Sequence, residues 1–364
     1  MTTRAFGTFF LPGPTEVRPE ILAAMQRPMI SHRSAEFTAL YARCDEGLRR
    51  VFRTVRPVFM SSSSATGLME AAIRNAPAGP ILSLVNGAFS ARFAEIAGAC
   101  GRTVQALEVP YGEIVPLERV EHALRDRRFA AVTAAHSETS TGASQDVQAI
   151  AELAHANGAY SLIDSVSGMG GMPVETDAWG LDFVLTGSQK ALALPPGLAF
   201  GCASERYLAT AAEATSRGRY FDVVEFAEYA AKSQTPNTPA ISLFYALDAQ
   251  LADIGPTGIE CRWARHAAMS STVHAWVEHQ RVAGRVAGIL APAGARSATV
   301  TVVKTSDGVD ARHVVDAVGS RGFTLGSGYG KLAASTFRVG HMGDHTVDTV
   351  TRLLDAVADA LESG

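Results

Sequence analysis

Apolar and polar residues follow two alternating patterns over roughly the first two thirds of the chain. Short, continuously apolar runs, which are typical of strands buried on both faces of a sheet, alternate with segments whose apolar residues recur at helical spacing. The predicted strands span residues 80–85, 104–109, 130–134, 160–164, 181–186 and 199–202. The predicted helices between them span residues 91–99, 117–124 and 149–157. This alternation predicts an α/β fold with a mostly parallel sheet flanked by helices.

The pattern changes near residue 255, where a long helical stretch begins and runs to Val282. The segments after it are a predicted strand at 298–304, a helix at 311–320, a glycine-rich turn at 326–330, a strand at 335–340 and a helix at 347–361. We therefore predict a large α/β domain over residues 15–255 and a smaller α+β domain over residues 256–364, with residues 1–14 as a separate N-terminal segment.

Charge and cysteine content exclude several classes of protein. The 364 residues include 32 basic and 36 acidic side chains, for a formal net charge of −4, which argues against nucleic acid or an anionic membrane as partner. The four cysteines form no CxxC pair and the histidines show no metal-ligand spacing, so we expect neither a disulfide framework nor a metal site. No apolar run approaches the roughly 20 residues of a membrane span, and we expect a soluble, cytoplasmic protein.

Lys190 is one of only four lysines in the chain, and it follows directly on the predicted strand at 181–186. Burial at such a position lowers the pKa of a lysine and favours the neutral, nucleophilic amine that Schiff-base chemistry requires. A lysine that extends from a loop into solvent is equally compatible with this local sequence.

Asp164 ends the predicted strand at 160–164, the strand that precedes the one leading to Lys190. Open α/β sheets bind ligands at the carboxyl ends of their strands, so a carboxylate there is a candidate ligand-binding group. A helix N-cap or an ordinary loop carboxylate is the alternative. Two consecutive strands that both end in polar side chains make the functional interpretation stronger than either residue does alone.

Three further features have a functional and a structural interpretation. The serine run 61–64 opens a predicted helix, and it is either a phosphate cradle or an ordinary serine N-cap. Arg338 lies in a buried-looking strand, where it binds either the carboxylate of a substrate or an internal acidic residue. Phe89 either stacks on an aromatic cofactor or belongs to the core.

Taken together, these segments resemble the class V aminotransferases, and within them the alanine–glyoxylate and serine–pyruvate group. The likeness spans essentially the whole chain, in order. The motifs that carry it are Leu11-Pro-Gly-Pro-Thr-Glu-Val, Ser31-His-Arg-Ser, Ser64-Ala-Thr-Gly, Asn86-Gly-Ala-Phe, Glu138-Thr-Ser-Thr-Gly, Asp164, Ser188-Gln-Lys and Phe337-Arg-Val-Gly. The resemblance implies fold type I of the enzymes that depend on pyridoxal 5'-phosphate (PLP), and PLP as the cofactor.

The resemblance also implies a role for individual residues. Lys190 would carry PLP as a Schiff base and act as the catalytic base, Asp164 would pair with the ring nitrogen, and Phe89 would stack on the ring. The other residues implied to bind the cofactor are Ser64, Ala65, Thr66, Thr139 and Gln189, together with Asn237 and Thr238 acting across a subunit interface. The residues implied to bind substrate are Arg338, Pro12 and Gly13, which makes residues 1–14 part of the active site.

The function implied is transfer of an amino group from a small L-amino acid, alanine or serine, to a 2-oxo acid such as glyoxylate or pyruvate. The family forms homodimers whose subunits share their active sites. Alternatives on the same fold are a transaminase for an aminophosphonate, phosphoserine or ureidoglycine, a lyase, or a PLP-binding module without catalytic activity. A desulfurase needs a cysteine in the small domain, where only Cys261 is found.

Overall fold

The computed structural model describes residues 6–215 and 217–362. Its helices are α1 (Pro19–Ala24), α2 (Ala35–Phe52), α3 (Ala65–Asn75), α4 (Ala88–Ala99), α5 (Leu117–Asp126), α6 (Val147–Ala156), α7 (Glu205–Glu213), α8 (Val223–Ala230), α9 (Ile241–Thr257), α10 (Ile259–Val282), α11 (Ala311–Ser320) and α12 (Val347–Glu362). Its strands are β1 (Phe9–Phe10), β2 (Phe59–Ser61), β3 (Ile81–Val85), β4 (Val104–Glu108), β5 (Ala131–Ala135), β6 (Ser137–Glu138), β7 (Ala143–Ser144), β8 (Tyr160–Asp164), β9 (Phe183–Gly187), β10 (Ala199–Ala203), β11 (Val286–Ile289), β12 (Val300–Thr305), β13 (Thr324–Ser327) and β14 (Thr336–Gly340). Within these two ranges, none of the helices has the length and apolar composition of a membrane span.

The larger sheet has seven strands in the order β2-β10-β9-β8-β5-β3-β4. Strands β9, β8, β5, β3 and β4 run parallel, and helices such as α4 and α6 pack against them. The predicted α/β fold with a mostly parallel sheet is therefore confirmed. Strand β10 continues the apolar pattern of its neighbours but pairs antiparallel with both β9 and β2. The segment between β9 and β10 contains no helix, so the chain returns alongside β9 without the crossover that a parallel pairing requires.

The smaller sheet has five strands in the order β1-β13-β14-β12-β11. Its pairings are antiparallel except that β1, near the start of the chain, runs parallel to β13. Helices α10, α11 and α12 pack against one another or against this sheet. Strand β1 is only two residues long, too short for a hydrophobic pattern to predict it.

The two sheets have separate hydrophobic cores. One core is formed by residues between Ile21 and Ile259, whereas the other joins Phe10 to residues between Met269 and Ala360. Residues of the N-terminal segment thus belong to the same core as the C-terminal part of the chain. Strands β5, β8 and β9, which contribute to the first core, run side by side, and their carboxyl ends position the candidate site.

Candidate active site

A cavity of about 340 Å³ opens at the carboxyl ends of the parallel strands. It is lined by the N-terminal segment, the first turns of α3 and α4, the end of β8 and the turn after β9. The residues predicted from the sequence that line it are Gly13, Ser64, Ala65, Thr66, Phe89, Thr139, Asp164, Gln189 and Lys190. The fold therefore brings into one cavity residues that are far apart in the chain, from Gly13 to Lys190.

Lys190 is buried in the turn that follows β9, with 7% of its surface exposed. Its amine donates a hydrogen bond to the backbone carbonyl of Pro12. Burial, assisted by the positive charge of Arg338, lowers the pKa of Lys190 to about 8. Gly13 has a φ of +116°, and a Cβ there would lie 2.4 Å from the lysine Cε, so the close approach of the N-terminal segment requires glycine.

Asp164 lies at the end of β8 and is 5% exposed. Its Oδ1 accepts a hydrogen bond of 2.8 Å from the backbone N–H of Val166. Burial raises the pKa of its carboxyl group to about 7, and the positive charges of Lys190 and Arg92 oppose this shift only in part. No cation in residues 6–215 or 217–362 forms an ion pair with it. The following segment is a turn rather than a helix, so Asp164 is not a helix N-cap.

Phe89 lies in the first turn of α4, with the centroid of its ring 5.7 Å from the Lys190 amine. The buried carboxylate of Glu138 fixes this turn, because it accepts hydrogen bonds from the backbone N–H groups of Phe89 (3.1 Å) and Ser90 (2.8 Å). The hydroxyl groups of Ser90 and Ser140 donate to the same carboxylate. A negative charge at a helix N-terminus is stabilised both by these donors and by the helix dipole. Sequence reasoning quoted Glu138 only as part of a motif and did not find this role.

Helix α3 begins at Ala65 and directs its N-terminus at the cavity, where Ser64, Ala65 and Thr66 form part of the wall. The hydroxyl of Ser64 makes no capping hydrogen bond, so this serine is not an ordinary N-cap. The N–H groups and the dipole at a helix N-terminus favour an anion such as phosphate. Gln189 lines the cavity from the turn after β9.

Arg338 lies in the middle of β14 and is largely buried, which lowers the pKa of its guanidinium group. Its Nε donates to the carbonyl of Ser327 (2.7 Å) and its Nη1 to the carbonyl of Thr139 (3.4 Å). The described part of the chain offers it no carboxylate partner, so the internal acidic residue considered from the sequence is not found. A guanidinium group in this state is suited to bind the carboxylate of a small ligand.

Four predicted residues are not among those that line the cavity in the single chain. Pro12 and Arg338 adjoin it, because the carbonyl of Pro12 accepts a hydrogen bond from Lys190 and Arg338 donates one to the carbonyl of Thr139. Asn237 and Thr238 line a separate small pocket, beside Ser62 and Tyr220. Both were expected to act across a subunit interface, so their role stays a prediction.

The sequence analysis also missed residues that the fold brings to the cavity. Arg92 and Ser137 line it, and Tyr329 packs against Phe89. For Arg92 the sequence did offer a usable signal: it lies three residues after Phe89, about one turn further along α4, and so on the same face of this helix.

The groups around the cavity fit PLP. Asp164 is a buried carboxylate that forms no ion pair in the described ranges, and a protonated ring nitrogen would supply it with a cationic partner. Phe89 offers an aromatic face and the N-terminus of α3 a site for phosphate, while Lys190 supplies an amine whose pKa is already lowered. All four groups line the same cavity.

The family model of "Aminotransferase class-V" matches residues 13–346 of the chain. Among curated proteins, the chain is 34% identical to the L-aspartate–glyoxylate aminotransferase of Paracoccus denitrificans, an alignment that covers 93% of this chain and 86% of that protein. It is 32% identical to the serine–glyoxylate aminotransferase of Methylorubrum extorquens, with 92% of this chain and 86% of that protein covered.

Among solved structures, the alanine–glyoxylate aminotransferase of Nostoc sp. superposes with a TM-score of 0.91 at 31% identity, over 99% of this chain and 97% of that one. Such proteins are PLP-dependent transaminases of fold type I, which agrees with the cofactor that the cavity fits. The extent of the family match and the identity to these relatives lead to one conclusion: the chain belongs to the class V aminotransferases.

Proposed function

We propose that the protein transfers the amino group of a small L-amino acid, alanine or serine, to a 2-oxo acid such as glyoxylate or pyruvate. The observation that carries this proposal is that Lys190 and Asp164 line one cavity, beside an arginine that forms no ion pair in the described chain. This arginine, Arg338, donates a hydrogen bond to the carbonyl of Thr139 in the wall of the cavity. The names of the relatives support glyoxylate as acceptor, since all three contain it, and two of them name serine or alanine as the donor.

Arg338 binds the α-carboxylate of the amino acid in this proposal. Two of its nitrogen atoms are held by the carbonyls of Ser327 and Thr139, which fix the plane of the guanidinium group. A guanidinium fixed in this way orients the Cα–H bond of the substrate relative to Lys190. The same contact places the amino group of the substrate near the lysine amine.

Lys190 would take the α-proton of the amino donor on Nζ and deliver it to the cofactor within the same half-reaction, and in the second half it would carry a proton in the reverse direction to Cα of the acceptor. Its lowered pKa of about 8 leaves a substantial fraction of the amine neutral near pH 7.5, as a base requires. PLP, when bound, supplies the electron sink that makes this proton acidic. Asp164 keeps the proton on the ring nitrogen, and Phe89 holds the ring from one face.

The remaining assignments belong to the same proposal. Ser64, Ala65, Thr66, Thr139 and Gln189 hold the cofactor, Pro12 and Gly13 close the wall beside the amine, and residues 15–255 and 256–364 form the two domains. The two separate hydrophobic cores support this division. We further propose a cytoplasmic homodimer in which Asn237 and Thr238 reach the cofactor phosphate of the neighbouring subunit.

The absorbance spectrum of the purified protein with added PLP tests the proposal. A visible band should appear, bleach with L-alanine or L-serine, and return with glyoxylate or pyruvate. The variant Lys190→Ala should lose turnover by at least about a thousandfold, because both the attachment point of the cofactor and the base are removed. The exposed Lys232→Ala is the matched control and should react like the wild-type protein.

Two results would contradict this proposal. Near-normal turnover in Lys190→Ala overturns the mechanism. A visible band that no amino donor bleaches excludes transamination of these substrates and favours a lyase or a PLP-binding module without catalytic activity.

A further inference from the structure

Tyr329, in the loop between β13 and β14, contacts residues on both sides of the candidate site. Its ring centroid lies 5.3 Å from that of Phe89, and the guanidinium carbon of Arg338 lies 5.5 Å from its ring centroid. Its hydroxyl accepts a hydrogen bond of 3.2 Å from Nη2 of Arg92. Tyr329 therefore stands between the ring that faces the cofactor site and the arginine that faces the substrate carboxylate.

Arg92 is held by aromatic groups rather than by an acid. Its guanidinium carbon lies 5.1 Å from the centroid of the Phe89 ring, one helical turn away on α4. No carboxylate of residues 6–215 or 217–362 forms an ion pair with it. The hydrogen bond to Tyr329 thus joins α4, in the larger sheet's half of the molecule, to the loop that precedes Arg338.

The contacts of Arg338 show what Tyr329 adds. The carbonyls of Ser327 and Thr139 accept hydrogen bonds from Nε and Nη1, whereas Nη2 has no hydrogen-bond partner in the described chain. An aromatic face beside a guanidinium group attracts the cation and restricts its rotation. A ring that restricted the rotation of Arg338 before a carboxylate bound would lower the entropic cost of binding.

We propose that Tyr329 is a positioning residue for Arg338, and that Arg92 holds Tyr329 in place. This inference rests on the proposed function, because it assigns Arg338 to the α-carboxylate of the amino donor. It predicts that the affinity for amino acids depends on the hydrogen bond between Arg92 on α4 and Tyr329 in the loop before β14.

Three substitutions separate the parts of this arrangement. Tyr329→Leu removes the ring beside Arg338, while Tyr329→Phe removes only the hydrogen bond between Arg92 and the hydroxyl. Arg92→Gln removes that hydrogen bond together with the contact between the Arg92 guanidinium and the ring of Phe89. The matched control is Lys331→Gln in the same loop, which removes a different contact, that of the lysine amine with the ring of Tyr111 at 3.9 Å.

The measurements are KM and kcat for the amino donor, and the dissociation constant of 2-methylalanine, which lacks an α-proton and so binds without turning over. Titration of the cofactor absorbance gives that constant. We expect Tyr329→Leu to raise KM and the dissociation constant about tenfold, with kcat changed less than about twofold. Tyr329→Phe should raise them about threefold and Arg92→Gln at least as much, and the double variant should raise them no further than Arg92→Gln alone, since both single variants remove the same hydrogen bond.

Several outcomes overturn the inference. One is an unchanged KM in Tyr329→Leu, and another is an equal rise in Lys331→Gln, which would assign the effect to docking of the whole loop. Full additivity of Arg92→Gln and Tyr329→Phe would show that the two residues act separately. A rise confined to dicarboxylic donors in Arg92→Gln would make Arg92 a direct substrate contact.

Failure of this inference is distinguishable from failure of the proposed function. If the wild-type protein forms no visible band, or no amino acid bleaches it, the proposed function fails. If the band and turnover of the wild-type protein are as expected but the substitutions leave KM unchanged, the positioning role alone is refuted. Melting temperatures and PLP affinities of all variants separate either result from misfolding.

Discussion

The two ionisable groups at the centre of the cavity are both shifted towards their neutral forms. Burial lowers the pKa of Lys190 to about 8 and raises the pKa of Asp164 to about 7. Before a cofactor binds, the cavity thus avoids part of the free energy that two buried charges would require. A protonated ring nitrogen beside Asp164 would stabilise the charged form of this carboxylate, because it would supply a cationic partner in the buried site.

The lowered pKa of Lys190 leads to a pH-dependent rate. The rate at which PLP associates with the cofactor-free protein should rise with pH through about 8 and level off above it, because only the neutral amine attacks the aldehyde. Arg338 contributes to the lowered pKa, so the midpoint should move to higher pH in Arg338→Gln. Stopped-flow absorbance measures both rates. A midpoint near 10.5 in the wild-type protein would show that Lys190 is not desolvated.

Arg338 itself should control substrate affinity rather than cofactor binding. Replacement by Gln is expected to raise KM for the amino donor roughly 10- to 100-fold, the loss of a charge-assisted bidentate contact. The PLP dissociation constant should stay within about twofold of the wild-type value. Arg312→Gln, at an exposed arginine paired with Asp310, is the control. Equal KM values for Arg338→Gln and Arg312→Gln would show that Arg338 does not bind the substrate.

At the scale of residues, the sequence predicted many of the groups that line the cavity but not Arg92 and Ser137, nor the contacts that orient these groups. Lys190 and Asp164 follow apolar strands, and that local context is visible in the chain. Arg92 and Tyr329 meet across 237 positions, and Phe89 and Glu138 across 49. Such contacts depend on how helices and strands pack against one another. The spacing of apolar residues along the chain predicts the elements but not their packing.

At the scale of elements, the boundaries of the predicted strands and helices lie close to those observed because buried parallel strands are apolar throughout. Helix 311–320 and strand 160–164 match α11 and β8 in full. The direction of β10 was not predictable in the same way. An apolar run of five residues has the same composition whether it pairs parallel or antiparallel, and only the connection before it decides.

The start of α4 gives a prediction at this scale. Glu138→Gln keeps the shape of the side chain but turns an acceptor of several N–H and O–H groups into a partial donor, so the free energy of unfolding should fall by roughly 2–4 kcal/mol. Urea denaturation of the cofactor-free protein measures it. Glu118→Gln, in the exposed first turn of α5, should change stability by less than about 0.5 kcal/mol. Similar losses for the two variants would contradict the capping role.

At the scale of the whole molecule, a cluster of buried histidines lies at the junction of the two cores. His341 bonds to Thr301, and His345 to the carbonyl of Phe9. Burial lowers the pKa of His341 to about 3 and that of His345 to about 4. Since both side chains are neutral in the folded protein and take up protons when it unfolds, each lowers stability as pH falls below 6.5.

The melting temperature should therefore drop as pH is lowered from about 6.5 to 4, and this contribution should be absent above pH 6.5. The melting temperature of His345→Gln should fall less steeply over that interval, because one of the two histidines with a lowered pKa has been removed. The exposed His122→Gln should retain the slope of the wild-type protein. Identical slopes in His345→Gln and the wild-type protein, measured by differential scanning calorimetry, would contradict this account.

The position of β1 has a consequence for synthesis of the chain. Phe9 pairs with Thr324, so the ribosome must add more than 300 residues before the first strand finds its neighbour. The seven-stranded sheet, which is complete at Ala203, can form long before that. Because Gly13 and Pro12 approach Lys190 from the same segment, the wall of the cavity closes last, after the remainder of the cavity has already folded. In a chain that stalls late in translation, Lys190 would thus be accessible to solvent and to small molecules.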